Sequence, residues 1–321
     1  MKSFFGALFG SSKEEETVDD KQKNESKNFD VFKYDGIRAL KMGRVPYAIR
    51  CFTEALDIED DFETMNYLAS AYTMAHDSEQ ALEVLNRMVE LEPDHIEARL
   101  LRVNTLFMLD KDAEVIPDCL HVLDLDPSNH PAYLLMAKAK RTTNDALGAI
   151  TDLTKAIAQQ DDFIEAYLLR VEILLGMEQG KEALSDVEKV ISLVQEEESA
   201  YLLRGRIHES VGDSVAAMAD YKQALDLNPF NEEAYLLLGK VLITQEKYAD
   251  AVTFFDEAIE MNPQFAKAYA ERGRAKNLTG DKEGAFADLK TAVELDPEGE
   301  EAQKMNGQHS NFDTMYKGGI F

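Results

Sequence analysis

Basic residues are in short supply in this chain. Its 34 lysines and arginines face 61 aspartates and glutamates, for a net charge of -27. So acidic a surface repels a polyphosphate backbone, whose recognition rests on a basic stripe, and this excludes nucleic acid as a partner. Long apolar runs are missing too. None approaches the roughly 20 residues that cross a bilayer, and FFGALFG near the N-terminus is at the lower edge of a signal peptide's apolar core. Gly10 to Ser12 is only a weak cleavage-site match, and no nearby cysteine is available for a lipid. The expectation is a cytoplasmic protein with weak or no membrane association. The two cysteines, Cys51 and Cys119, are too few to staple a fold and form no CxxC pair, so they should stay reduced. The six histidines make no HxxxH or HExxH pattern, and neither GxSxG nor a P-loop occurs. The sequence therefore points to no enzyme, no metal and no cofactor.

What the chain does have is globular composition, 45% hydrophobic and 30% charged residues. Residues 11–28 are the exception, charge-rich and poor in apolar side chains, which predicts a disordered linker. Before them, residues 1–10 (MKSFFGALFG) put Phe4, Phe5, Leu8 and Phe9 on one face of a short amphipathic segment.

Prolines are few but regularly placed. Pro93 and Pro127 are 34 residues apart, as are Pro229, Pro263 and Pro297, and 102 residues separate Pro127 from Pro229. Around them the same phrase returns: VELEPDHIEA, LDLDPSNHPAY, LDLNPFNEEAY, IEMNPQFAKAY, VELDPEGEEA. The frame gives a first unit, 29–61, and seven units of 34 residues: 62–95, 96–129, 130–163, 164–197, 198–231, 232–265 and 266–299. Each reads as two helices with apolar residues three and four apart, separated by a break such as VGD or TGD, where glycine accepts the positive φ that ends a helix. Residues 300–321 start a ninth unit, with Ala302 in register, and run on as a partial capping helix and a tail ending GGIF.

This pattern resembles the tetratricopeptide repeat (TPR) family. Tyr133, Tyr167, Tyr201, Tyr235 and Tyr269 stand at its large aromatic position. Gly36, Ala69, Ala137, Gly205, Gly239 and Gly273 stand at the small position of the first helix, and Ala48, Ala81, Ala149, Ala183, Ala217, Ala251 and Ala285 at that of the second. The resemblance implies an all-α, right-handed superhelical solenoid of antiparallel helix pairs, since a two-helix unit buries its apolar stripe only by stacking on its neighbours.

The repeats can also be compared with one another. Arg102, Arg170, Arg204 and Arg272 share one position of the first helix, and 16 residues after each stands an aspartate: Asp118, Asp186, Asp220 and Asp288. Where the first position is Leu68 or Leu238, the second is Val84 or Phe254; Met136 with Asp152 breaks the rule, as does Asp35 with Cys51. An ion pair within each hairpin, structural in role, is expected. The third unit is irregular, with Arg99 at the aromatic position and Pro117 inside the second helix, which should bend or delay that helix; a hinge or a widened groove near Phe107 is the functional reading, and tolerance of an irregular repeat the structural one.

The family resemblance further implies a concave face lined by the second, fifth, ninth, twelfth and thirteenth residues of each unit. The fifth residues include Leu100, Leu134, Leu168, Leu202 and Leu236, and the ninth include Asn104, Lys138, Glu172, Arg206, Lys240 and Arg274. If both rows face the groove, the ligand is an extended or helical peptide with apolar and acidic side chains. If the leucines pack between neighbouring first helices, the charged row is a ladder of modest value. The family's carboxylate clamp for chaperone C-termini is not matched: Lys33 is followed by Ile37, Tyr67, Glu97 and Leu101. A non-enzymatic scaffold for protein partners is the expected function; the alternative is a membrane-assembly or enzyme-regulatory subunit tethered by residues 1–10.

Overall fold

In a computed structural model, residues 18–299 and Ala302 are described; the decapeptide 1–10 and the GGIF tail lie outside them. The described residues form helices with no strand, arranged in two compact units that divide between Gln159 and Gln160.

The first unit contains α1 (Val18–Lys41), α2 (Val45–Leu56), α3 (Phe62–Met74), α4 (Ser78–Leu91), α5 (Ile96–Met108), α6 (Val115–Leu125), α7 (His130–Thr142) and α8 (Ala146–Gln159). The second contains α9 (Ile164–Gly176), α10 (Gly180–Leu193), α11 (Glu198–Ser210), α12 (Ser214–Leu227), α13 (Glu232–Thr244), α14 (Tyr248–Met261), α15 (Ala266–Thr279) and α16 (Lys282–Leu295). Within each unit, consecutive helices pair as hairpins, and the second helix of one hairpin packs on the first helix of the next.

Alanine makes the close packing possible. Ala81, Ala149, Ala183, Ala217, Ala251 and Ala285 on the second helices are all fully buried, as are Ala98, Ala132, Ala166, Ala200, Ala234 and Ala268 on the first. Ala302 continues the latter series, helical and buried. Larger side chains at these points would push the backbones apart.

Each hairpin turns through a residue with positive φ: Gly43, His76, Asp110 and Asn144 in the first unit, Glu178, Gly212, Glu246 and Gly280 in the second. Glycine adopts this conformation without steric cost, whereas glutamate does not. After the turn, an aspartate commonly caps the second helix, as when Asp213 accepts from the Ala216 N–H and Asp281 from the Gly284 N–H.

The start of α1 differs from expectation. Residues 18–28, assigned by composition to a disordered charged linker, are helical. From Val18 through Asp35 there is no proline or glycine to stop the helix, so it extends from the packed segment with no new nucleation.

Pro117 delays its helix. Every other second helix after the first hairpin begins at the frame position that Asp112 occupies here, but Asp112–Glu114 form a 3₁₀ turn and α6 begins only at Val115. Asp112 therefore does not cap α6; its N-cap, Glu114, makes no side-chain capping bond. A cavity of about 440 Å3 beside the shortened helix is lined by Leu82, Leu106, Glu114 and Pro117. Phe107 is half-buried and packs on the cluster of Val103, Leu106, Val115 and Cys119. Cys51 and Cys119 are free and buried, and burial, with Asp118 and Asp152 nearby, pushes the Cys119 thiol up to about 12.

Candidate functional site

The repeated charges are satisfied inside the hairpins. Arg170 reaches Asp186 through Nε at 2.6 Å and Nη2 at 2.7 Å, and Arg102, Arg204 and Arg272 grip Asp118, Asp220 and Asp288 in the same forked way. In Arg170, Arg204 and Arg272 the guanidinium also lies over the ring of the tyrosine three residues earlier, 5.2 Å from the ring centre for Arg272 on Tyr269. Hydrogen bonding to Asp220 and Asp288 holds Arg204 and Arg272 more firmly protonated than usual.

The exception at Asp152 and the irregular Arg99 obey the same physics. Asp152, opposite Met136, takes Lys140 instead, at 2.6 Å. Arg99, at the aromatic position, supplies Asp118 with a second guanidinium at 2.6 Å and also donates to the Pro93 carbonyl. A buried carboxylate needs a cation, and the fold supplies it from whichever nearby position the sequence allows. These arginines and aspartates hold the hairpins together and are not available to a ligand.

A second pairing at the same spacing concerns volume. A Cβ added to Gly36, Gly205 or Gly239 would overlap the ring of Phe52, Tyr221 or Phe255, each 16 residues later. Where the first member is Ala69 or Ala137 the partner is Leu85 or Leu153, and where it is Val103 or Val171 the partner is Cys119 or Val187. The two members fill one space in the core, so one shrinks as the other grows. Sequence reasoning missed this coupling although the signal, seven pairs in one chain, is present.

The candidate groove residues divide by position. Among the leucines, Leu134 is 5% exposed and Leu202 7%, while Leu100, Leu168 and Leu236 are half-buried. Leu202 belongs to the cluster of Leu238 and Tyr221, and Leu236 packs beside that of Phe255 and Ile259. The ninth residues Asn104, Arg206, Lys240 and Arg274 are exposed, and Lys138 is half-buried.

Two clefts lie between successive first helices, each beside a fifth residue that is not leucine. In the first unit a cleft of about 280 Å3 between α3 and α5 is lined by Asn66, Ser70, Thr73, Met74, Leu101 and Thr105. In the second unit, a cleft of about 220 Å3 between α13 and α15 is lined by Leu236, Lys240, Lys267, Ala270, Glu271 and Asp296, with further small residues. Asn66 and Ala270 stand where Leu100, Leu134, Leu168, Leu202 and Leu236 stand in the intervening repeats. Leucine closes the space between first helices, and its replacement leaves that space open.

The second cleft is the more polar of the two. Among the described residues the ammonium groups of Lys240 and Lys267 make no ion pair, while Glu271 places Oε2 3.7 Å from Arg274 Nη1, beyond hydrogen-bond reach. Lys267 and Glu271 were not singled out from the sequence; the break in the leucine row at Ala270 was the signal that leads to them. Among the described residues no group of three or more histidines, cysteines or carboxylates is placed to hold a metal ion, and no helix is long and apolar enough to cross a membrane.

Paired antiparallel helices in a 34-residue frame, locked by alanines and packed hairpin on hairpin, make this a helical-repeat protein. Sequence models of the tetratricopeptide repeat match residues 210–276 and 266–298, so this stretch of the chain carries tetratricopeptide repeats. Its fold is similar to that of a tetratricopeptide repeat protein from Parabacteroides merdae, with a TM-score of 0.63 and 16% identity over 78% of this chain and 99% of that one. It is also similar to the APC/C hetero-tetramer Cut9–Hcn1 (TM-score 0.55, 15% identity, 82% of this chain and 52% of that one). A third likeness is to Pseudomonas aeruginosa PilF (TM-score 0.54, 17% identity, 66% of this chain and 97% of that one). A comparison of the sequence with curated proteins found no match. The family is a protein-interaction fold.

Proposed function

We propose that the chain is a non-catalytic scaffold that holds an extended or helical peptide, bearing apolar and acidic side chains, on the face formed by its first helices. One observation carries this reading: in a chain of net charge -27, the second unit exposes Arg206, Lys240, Lys267 and Arg274 on successive first helices, beside a cleft floored by Leu236 and Ala270. Local positive charge selects a ligand of opposite sign, while the net charge of -27 repels further copies of the chain. The leucines contribute mainly by closing the stack, and binding concentrates where the row is interrupted.

The test is an immobilised array of eight-residue peptides that combine aspartate or glutamate with alanine, valine or leucine at every spacing. Wild-type protein should select peptides in which an acidic residue neighbours an apolar one, and Lys240→Glu or Arg206→Glu should abolish that selection. Equal binding to neutral peptides, or selection that survives both reversals, overturns the reading.

A further inference from the structure

We infer that Glu271 is a specificity-determining acceptor in the second cleft, engaging one backbone N–H of the bound peptide while Lys240 and Lys267 take its carboxylate. The inference rests on the peptide-binding reading above and names the chemistry of that site. Among the described residues, Glu271 Oε2 is the one buried side-chain nitrogen or oxygen with no hydrogen-bond partner. Its neighbour Arg274 is too distant for a hydrogen bond and is itself largely exposed. An orphaned carboxylate oxygen inside a fold costs stability, and buried acceptors elsewhere in the chain are satisfied, as the aspartates of the hairpins show.

The position of the orphan carries the argument. Glu271 lines the same cleft as Lys240 and Lys267, one residue after Ala270, where the leucine row breaks. Three groups thus line an opening of about 220 Å3: two ammonium groups with no ion pair among the described residues, and the Glu271 carboxylate, whose Oε2 is turned into the wall of the cleft with no donor there. Asp296, exposed at the cleft's edge, is the remaining charged member of the lining and adds a second negative charge. Lysine and glutamate together are poorly suited to a simple anion, because an anion leaves the Glu271 oxygen both unpaired and repelled. They suit a group with a carboxylate and an N–H donor a few ångströms apart. An acidic residue within a peptide presents that pair: its side-chain carboxylate meets the ammonium groups, and a backbone amide donates to the Glu271 carboxylate, which turns outward to accept it. The volume between Leu236 and Ala270 leaves room for one small apolar side chain beside it.

The experiment uses the full chain and the tightest peptide from the array. Each backbone amide of that peptide is N-methylated in turn, and affinity is measured for wild type, Glu271→Ala and Glu271→Gln. One methylated position should weaken wild-type binding at least tenfold, weaken Glu271→Gln by a similar factor because its amide oxygen still accepts, and leave Glu271→Ala within about twofold of its affinity for the unmethylated peptide. If every N-methyl effect is the same in wild type and Glu271→Ala, the inference fails while the scaffold reading stands. If no array peptide binds, or binding ignores Lys240→Glu, both fail.

Discussion

The two clefts arise in the same way, beside a fifth residue that is not leucine, yet they present opposite surfaces. Between α3 and α5 the lining has no charged side chain; Asn66, Ser70, Thr73 and Thr105 alternate with Met74 and Leu101. Between α13 and α15, lysines, a glutamate and an aspartate surround a small apolar floor. The thioether and hydroxyls of the first suit an uncharged, adaptable contact, whereas the second suits a ligand of defined charge and hydrogen-bonding pattern. One scaffold frame therefore supports two recognition chemistries, because the residues that build the frame and the residues that face outward are different sets. Asp118, Ala149 and Gly239 cannot change without damage to the stack, while Ser70 or Lys240 can.

The largest expected effect tests how the frames of the two units are held. Asp186 depends on Arg170, whereas Asp118 has both Arg99 and Arg102. Arg170→Leu should leave a buried carboxylate unpaired and cost about 3 kcal/mol in urea unfolding, while Arg102→Leu costs about 1 kcal/mol because Arg99 remains. Arg170→Leu combined with Asp186→Val, the arrangement seen at Leu68 and Val84, should recover most of the loss. Equal losses for the two single variants would show that the second guanidinium on Asp118 contributes nothing.

The next effect separates the clefts. Ala270→Leu should fill the second and weaken binding of the selected acidic peptides on the order of tenfold, about 1.4 kcal/mol, while Asn66→Leu fills the first and leaves those peptides unaffected. Calorimetric titration of both variants decides the matter, and a matching response to the two substitutions would mean the peptide is not held at the second cleft.

The smallest effect lies in the turns. Glu246 sits at positive φ in the second unit and Asn144 at the same frame position in the first. Asparagine tolerates that conformation and glutamate does not, so Glu246→Gly should gain about 0.5 kcal/mol and Asn144→Gly close to nothing. A gain of the same size at both sites would break the distinction.

Much of the frame was legible because repetition supplies its own comparison. Pro93, Pro127 and their successors set the period, and Arg170 with Asp186 announced an ion pair between helices before any distance was known. Other features resisted for physical reasons. The role of Arg99 was hidden because a cation at an aromatic position makes sense only once Asp118 is seen within 2.6 Å of it. The helical state of residues 18–28 was hidden because composition reports the cost of burying a segment alone and not its attachment to a helix already formed. The leucine row left two readings open, since helical spacing gives direction about one axis but not the distance to the next helix. Burial of Leu134 and Leu202 favours packing between first helices.

The sequence by itself determined the class of the molecule: the 34-residue period, the alternation of helices, the alanines that let them approach and the charged pairs that lock them. These are local or periodic properties, repeated often enough to stand out. Only the tertiary structure decided which side chains remain open to a ligand. That question depends on what is left unfilled and unpaired after packing, and Ala270, Lys267 and the orphaned Oε2 of Glu271 acquire meaning only when α13 and α15 are side by side.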